Sequence, residues 1–274
     1  MAGARSNRRR NFFALHPKCC FCGGSADATT EDHVPGRGLF LGRQWPSGYV
    51  FPACFSCNNE ASQGEALLAW LVRIRITDFS PEEEREFNRC TYEVSRRFPE
   101  IVDGLKFHSR VESRRFLKEM GVPTTMPGVD GVLHSMDFPD HVLDVASDYG
   151  VKLGKALHYF HSGRIVPSVA VIDAKVYTNA NAMGPQFPAQ ALAFITGQAE
   201  IQRASTSLIS QFDYRYTVVE GGEASAFVIS FGESLVIVVS IFADPERHKQ
   251  AQAARKLRES QVGTALFSAP QSEH

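Results

Sequence analysis

Three short stretches decide the fold of the N-terminal part of this chain: CCFCG at 19–23, TEDHVPG at 30–36 and FPACFSCNNEAS at 51–62. The outer two contain Cys-x-x-Cys pairs, formed by Cys19 with Cys22 and by Cys54 with Cys57. A short loop lets both sulfurs of such a pair face one ion, so two pairs are a typical ligand set for tetrahedral Zn²⁺. Few apolar residues surround them, and we therefore expect structural zinc to supply much of this segment's folding free energy.

The alternative for these cysteines is a set of unrelated buried or redox thiols. A thioredoxin-like redox site would need a βαβ pattern around one pair, and the sequence has no such pattern. Cys22 and Cys54 are further apart than the roughly 15 to 20 residues of common zinc ribbons, which indicates an insertion between the pairs. We interpret the remaining Cys20 and Cys90 as buried bystanders, since a free cysteine behaves as a small hydrophobe.

The insertion carries an Asp-His pair, Asp32 and His33, and Asn58 follows the second cysteine pair directly. Carboxylate and amide oxygens suit a hard ion such as Mg²⁺, and a neighbouring imidazole can accept a proton from water. Alone, an Asp-His pair is more often a hydrogen-bonded loop feature than an active site. Its position between the two cysteine pairs that are predicted to bind zinc favours the catalytic interpretation.

These three stretches resemble the zinc-containing branch of the HNH (ββα-metal) endonucleases, whose bacterial members read CxxCG, DHVPP and VPACxxCNNxxSxDE. The resemblance covers residues 18–65, and a fainter one relates LGKALHYFHSGRIVP at 153–167 to RGLYYHHTGRRLP. It implies a zinc-stabilised HNH module that hydrolyses phosphodiester bonds of nucleic acid, with DNA as the expected substrate. It also implies that His33 is the general base and that Asp32 and Asn58 bind one catalytic Mg²⁺ or Mn²⁺.

The sequence departs from this family pattern at three points. The middle Asn, which orients the base, is missing before Pro52, and Ser47 is the candidate replacement. Gly36 stands where the family has a second proline, and the final acidic pair is reduced to Glu65, a candidate supporting carboxylate. Two alternatives therefore stay open: a catalytically impaired, zinc-containing protein that binds nucleic acid or regulates, and a scaffold whose C-terminal domain does the biological work.

Arg37 lies in the insertion and is a candidate phosphate contact. The net charge of the whole chain is −1, which neither favours nor excludes nucleic acid. No apolar stretch approaches the roughly 18 residues of a membrane span, and no secretory signal is evident, so we expect a cytoplasmic protein without membrane partners.

The rest of the chain predicts an α+β protein. Helices are expected from Ala66, after Ser80, over 109–120 and over 140–161, and a shorter one over 189–200; strands are expected over 168–177, 212–219, 224–231 and 235–242. Within the helix over 140–161, His158 and His161 have a spacing that can hold a metal, but packing is the favoured interpretation.

The expected domains are a basic disordered arm (1–12), the HNH module (13–78), a helical connector (79–130), a helix-plus-sheet domain (131–245) and a polar helical tail (246–274). Homo-oligomerisation through the helix-plus-sheet domain is left open.

Overall fold

A computed structural model describes residues 2–74, 79–121, 135–185, 187–192 and 194–253. Helices and antiparallel sheets both contribute to it, which confirms the predicted α+β class. Apart from a helical stretch that ends the described residues at 245–253, the α-helices are α1 (Ala2–Leu15), α2 (Phe55–Leu71), α3 (Pro81–Arg97), α4 (Pro99–Asp103), α5 (Arg110–Glu119), α6 (Asp140–Ser162), α7 (Asn179–Met183) and α8 (Ala189–Leu192).

The strands fall into one large sheet and three two-stranded pairings. In chain order they are β1 (Thr30–His33), β2 (Val50–Ala53), β3 (Lys106–Phe107), β4 (Met136–Asp137), β5 (Val171–Thr178), β6 (Gly197–Gln198), β7 (Gln202–Arg203), β8 (Thr206–Ser207), β9 (Asp213–Val218), β10 (Ala224–Phe231) and β11 (Leu235–Phe242).

The N-terminal unit runs strand, strand, helix. β1 and β2 are antiparallel, with Thr30 opposite Ala53 and His33 opposite Val50, and α2 follows β2 directly. The sequence predicted a loop-rich segment up to Glu65 and a helix only from Ala66, and that boundary is wrong. The helix begins at Phe55 because the Cys54 side chain caps it, accepting a hydrogen bond from the Cys57 backbone N–H at 3.5 Å.

The large sheet has the strand order β5-β11-β10-β9-β6, and every neighbouring pair is antiparallel. Its four long strands lie within a few residues of the predicted ones. Buried and partly exposed side chains alternate along β11, as expected of a strand with one face on the core. The helix predicted over 189–200 is shorter than expected, because α8 ends at Leu192 and β6 begins at Gly197.

Helix α6 packs on the sheet with one face and on α2 with another. Two glycines allow the close approach to the sheet: a Cβ atom at Gly154 would lie 2.6 Å from Val239 Cγ1, and one at Gly150 would lie 2.8 Å from Ile237 Cγ2. Towards α2, a Cβ atom at Gly64 would lie 3.2 Å from Val145 Cγ1. The helix therefore connects the ββα unit to the large sheet.

Two of the predicted connector helices have capping boxes, in which Ser80 pairs with Glu83 and Ser109 pairs with Glu112. The Gly- and Pro-rich linker predicted at 124–131 lies outside the described residues. So does the tail after residue 253, whereas 246–253 is helical as predicted.

The N-terminal arm differs from the expectation of disorder, because it forms α1. Two of its arginines contact the ββα unit: Arg8 pairs with Glu31 at 3.2 Å, and Arg9 donates to the Thr29 carbonyl at 2.8 Å. These two contacts hold α1 against the ββα unit. Within the described ranges, no helix has both the length and the apolar character needed to cross a membrane.

Candidate functional site

The four paired cysteines come together at the base of the ββα unit. The Sγ atoms of Cys19, Cys22, Cys54 and Cys57 all lie within 4.8 Å of one another. Cys19 and Cys22 lie in the turn before β1, where Gly23 and Gly24 adopt positive φ angles of 69° and 75°. This cluster can hold a structural metal such as zinc, because four sulfurs at this separation surround one tetrahedral position. The predicted ligand set is thus assembled, and Cys20 and Cys90 are buried outside it.

Without an ion, the thiols of the cluster differ in pKa: burial raises the pKa of Cys19, whereas hydrogen bonds from Ser25 and Ala26 outweigh burial and lower the pKa of Cys22 to about 7. Burial raises the pKa of the Cys57 thiol, and its contact with Cys54 raises that pKa further. Crowded thiols ionise together only where a positive charge offsets their repulsion, and a coordinating Zn²⁺ supplies that charge.

Asp32 lies on β1 beside the cluster and is 5% exposed. Its Oδ2 atom lies 2.6 Å from the Nζ atom of Lys152, whose side chain is 11% exposed and comes from α6. The same ammonium lies 4.0 Å from Glu65 Oε1 on α2. Burial raises the pKa of Asp32, while the charge of Lys152 opposes that shift. The Lys152 ammonium therefore lies between Asp32, the predicted ligand of a divalent ion, and Glu65, the predicted supporting carboxylate.

Glu65 and Gly36 lie against each other at this site. Burial raises the pKa of Glu65 to about 7, with Lys152 lowering it and Asp32 raising it. A Cβ atom at Gly36 would lie 2.8 Å from Glu65 Cδ, so the glycine in the family's proline position leaves room for this carboxyl group. The Gly36 backbone N–H donates to the Tyr149 hydroxyl at 2.8 Å, which ties this loop to α6.

His33 ends β1 and is half-buried. Its Nε2 atom lies 2.7 Å from a terminal nitrogen of Arg37, and its ring meets the edge of Trp45 with 5.2 Å between ring centres. A guanidinium can only donate, so Nε2 accepts this bond and the neutral ring carries its proton on Nδ1. Burial lowers the pKa of His33 and the charge of Arg37 adds to this shift, so the pKa is about 4. The imidazole is therefore neutral at neutral pH.

Arginine side chains surround this imidazole. The Cζ atoms of Arg37 and Arg203 lie 3.9 and 3.8 Å from the centre of the Trp45 ring. Arg203 also donates to the Trp45 carbonyl at 3.1 Å. Arg8 and Arg203 both contribute to the lowered pKa of His33, and Glu31 is the acid that opposes them. The surface around His33 is therefore positively charged.

Among the described residues, no contact joins the side chains of the three predicted catalytic residues, Asp32, His33 and Asn58, to one another. Asp32 and His33 are neighbours on β1, and successive side chains of a strand project to opposite faces. Accordingly, Asp32 contacts Lys152 whereas His33 contacts Arg37. Asn58 lies in the first turn of α2 and is partly exposed. In the described part of the chain, no hydrogen bond, ion pair or ring contact links its side chain to Asp32 or His33.

Ser47 makes contacts other than the predicted one with the catalytic base. Its backbone N–H donates to the Gln202 carbonyl at 2.9 Å, and its hydroxyl accepts from the Ala204 N–H at 3.4 Å. Ser47 therefore anchors the β7–β8 hairpin. No described hydrogen bond connects it to His33.

Four residues of the site were not predicted from sequence: Tyr149, Lys152, Trp45 and Arg203. A signal existed for Lys152, which follows the buried Tyr149 by three residues and so lies on the apolar face of α6. A lysine on such a face needs a buried partner. Arg203 and Trp45 carry no local signal, because their contact joins distant parts of the chain.

His158 and His161 contact side chains of the large sheet, which agrees with the packing interpretation. His158 Nδ1 lies 3.0 Å from Ser225 Oγ. His161 Nε2 lies 2.9 Å from the Tyr214 hydroxyl, and its ring stacks on Tyr216 with 3.7 Å between centres.

A divalent ion between Asp32 and Glu65 would find hard oxygen donors of the kind it prefers. The ammonium of Lys152 already lies there, however, so the side chains as placed do not fit a dication. Compared with family models, curated proteins and solved structures, the chain has no significant match.

Proposed function

We propose that this chain is a nuclease of the HNH type that hydrolyses phosphodiester bonds of nucleic acid, with DNA as the expected substrate. The observation that carries the proposal is the order β1–β2–α2, closed at its base by four cysteines, with Asp32 and His33 at the end of β1. This is the arrangement that the sequence resemblance implies for a zinc-stabilised nuclease module.

The charge around His33 supports a phosphate-containing substrate. Arg8, Arg37 and Arg203 approach the imidazole from α1, from the segment after β1 and from β7. Guanidinium groups bind phosphate oxygens through paired, charge-assisted hydrogen bonds. Contacts of this kind position a nucleic-acid backbone without reading its sequence, so they suit a nuclease of broad specificity.

In the proposed reaction His33 accepts a proton from the attacking water. Its Nε2 lone pair is engaged by Arg37 at 2.7 Å in the free protein. A phosphate that pairs with the Arg37 guanidinium would draw it away from the ring and leave Nε2 open to a water molecule. Substrate binding would thereby create the base, and because the ring is neutral at neutral pH, it is in the protonation state this role requires.

The proposal includes two metals. Structural Zn²⁺ belongs to the four cysteines, and the resemblance adds a Mg²⁺ or Mn²⁺ held by Asp32 and Asn58, with Glu65 in support. Such an ion would supply positive charge near the phosphate. The Lys152 ammonium lies against Asp32, however, so the side chains as placed leave no room for this second ion.

The second candidate function is binding of nucleic acid without cleavage. Three observations favour it: Lys152 lies against Asp32, Arg37 engages His33, and Ser47 is bound to the β7–β8 hairpin. In that case the arginines would bind the phosphate backbone, and the zinc-stabilised ββα unit would only hold the binding residues in place.

A cleavage assay separates these functions. The zinc-loaded full chain is incubated with supercoiled plasmid, or with labelled single-stranded DNA or RNA, in Mg²⁺ or Mn²⁺. We expect nicking by the wild type and by the control His108→Ala, and none by His33→Ala with its zinc content intact. If wild type and His33→Ala bind DNA equally but neither cuts, the binding function holds. If neither binds nor cuts any nucleic acid, the chain is a scaffold.

A further inference from the structure

We propose that a groove between α1 and the end of α6 binds an unpaired nucleobase, so that the chain binds single-stranded nucleic acid more tightly than duplex. The groove has a volume of about 760 Å³, which is within the range of small-molecule sites. The inference rests on the proposed function only in taking nucleic acid as the ligand. The main residues that line this α1–α6 groove are Arg8, Phe12, Glu31, Val50, Tyr159 and Phe160.

The α1–α6 groove begins beside His33. Val50 lies directly opposite His33 in the β1–β2 pair, so the two side chains are on the same face of the hairpin. Glu31 precedes His33 by two residues and is on that face too. Both Val50 and Glu31 line the groove. A nucleotide whose phosphate lies at the arginines around His33 therefore has the groove within reach of its base.

The side of the groove that α1 forms is positively charged. Arg8, Arg9 and Arg10 are exposed, and α1 contains no acidic residue. Arg8 pairs with Glu31 at 3.2 Å and so joins this charge to the positive surface around His33. A nucleic-acid strand complements the charge, because it brings one phosphate with each base. An apolar peptide does not, and neither does a second copy of this chain, whose net charge is only −1.

A firmly held aromatic ring is exposed in the groove. Phe160 is 47% exposed, and its ring stacks on the buried Tyr49 with 5.0 Å between centres and 17° between planes. Tyr49 is itself fixed by a 3.0 Å hydrogen bond between its hydroxyl group and that of Tyr214. The exposed part of the Phe160 ring can therefore stack on a base at little cost in side-chain entropy.

The polar groups of the groove are already engaged with one another. His16 Nδ1 lies 2.7 Å from the Tyr159 hydroxyl, and Arg8 pairs with Glu31. The groove therefore favours a flat, largely apolar face, such as that of a nucleobase, over an ion. Stacking tolerates any base, so we expect little sequence preference. Bases inside a duplex are stacked and paired, so only an unpaired base can enter.

Fluorescence anisotropy on the zinc-loaded full chain tests this proposal, without added Mg²⁺ or Mn²⁺ so that the DNA stays intact. The probes are a labelled oligothymidylate and a labelled duplex of the same length. We expect the wild type to bind the single strand more tightly than the duplex. Phe160→Leu should lose roughly 5- to 150-fold in affinity for the single strand, the range for removal of one stacking ring. Its affinity for the duplex should be unchanged, because duplex binding depends on the arginines.

Two further variants control for a structural effect of the substitution. Phe160→Trp keeps an aromatic ring and should retain the preference for the single strand. Phe107→Leu removes a ring that is 69% exposed on β3, and it should match the wild type with both probes.

Photocross-linking of the wild type decides the matter if Phe160→Leu does not fold. A single strand that contains 5-iodouracil, which attaches on illumination to aromatic rings stacked against it, should cross-link at Phe160 or Phe12. Peptide mass spectrometry locates the attachment. The same base placed inside a duplex should not cross-link there.

Equal affinities of the wild type for the two probes, or no binding of either, overturn the proposal. An unchanged affinity of Phe160→Leu for the single strand overturns it as well, as does an equal loss for both probes. A dimer in sedimentation that Phe160→Leu dissociates would assign the groove to a second copy of the chain instead.

The proposed nuclease and the groove can fail separately. His33-dependent cleavage without any preference for single strands would refute the groove and keep the nuclease. A chain that prefers single strands through Phe160 but cuts nothing would refute the nuclease and keep the groove.

Discussion

The guanidinium carbon of Arg203 lies 3.8 Å from the centre of the Trp45 ring, and one of its nitrogens donates to the Trp45 carbonyl at 3.1 Å. Arg203 belongs to β7, whereas Trp45 lies between the two cysteine pairs. A residue from the C-terminal half therefore places positive charge beside His33, where it contributes to the lowered pKa of the imidazole.

Replacing Arg203 by alanine should weaken binding of nucleic acid. If Arg203 contacts one phosphate, the slope of log affinity against log salt falls by about one unit. The control Arg215→Ala removes an exposed arginine from β9 and should leave the slope unchanged. Binding can be followed in a Trp70→Phe background, in which Trp45 is the one remaining tryptophan. An unchanged slope in Arg203→Ala would remove Arg203 from the proposed phosphate surface.

Replacing Cys54 by serine should release the metal and unfold the N-terminal unit. Cys54 is both a member of the sulfur cluster and the cap of α2, so its loss removes a ligand and a helix start together. Metal analysis of the purified protein should give one zinc per chain in the wild type and in the control Cys20→Ala, and none in Cys54→Ser. Retention of zinc and of the native circular dichroism spectrum by Cys54→Ser would refute the ligand set.

Replacing Gly154 by alanine should destabilise the whole fold, because the new Cβ would lie 2.6 Å from Val239 Cγ1. Overpacking of this kind costs about 1–3 kcal/mol, which exceeds the gain in helix propensity. At Gly38, by contrast, a Cβ would have its nearest neighbour at 4.0 Å. Urea unfolding should therefore shift for Gly154→Ala and stay near wild type for Gly38→Ala. Equal midpoints would show that α6 does not pack as closely on β11 as described.

The free energy of unfolding should decrease at acidic pH, in part because His161 is buried. Burial lowers the pKa of this imidazole to about 4, whereas its unfolded value is near 6.5. Between these values the unfolded state binds the extra proton, so the free energy of unfolding decreases as the pH falls from about 6.5 to about 4.

His161→Phe should remove this contribution, roughly 1–2 kcal/mol after allowance for partial exposure. The test compares urea unfolding at the two ends of that pH range. The exposed His141 lies on the same helix, and His141→Phe should keep the pH dependence of the wild type. A wild-type pH dependence in His161→Phe would assign the effect to other groups.

Much of the architecture could be predicted from local pattern. The Ser80 and Ser109 capping boxes and the β-branched runs of β10 and β11 are local signals that the tertiary structure satisfies. The start of α2 was missed because its first turn contains cysteine and asparagine rather than an apolar stripe. A thiol capping the helix at Cys54 replaced the hydrophobic periodicity on which the prediction relied.

The candidate site could be predicted only in part. The cysteine set is recognisable from spacing, because the short loop in each pair dictates which sulfurs face the same way. The contacts of Asp32 could not be predicted in this way, since Lys152 reaches it from a helix more than a hundred residues further along the chain. Likewise, the spacing that singled out Ser47 contained no information about the β7–β8 hairpin that binds it.

By itself, the sequence determined the grouping of the four thiols, the Asp32-His33 pair and the α+β composition, because each depends on residue type and on short-range spacing. Only the tertiary structure decided that a lysine lies against Asp32 and that an arginine of β7 stacks beside His33. Both contacts arise where α6 and the β7–β8 hairpin pack against the ββα unit, and packing between distant segments leaves no periodic trace in the chain.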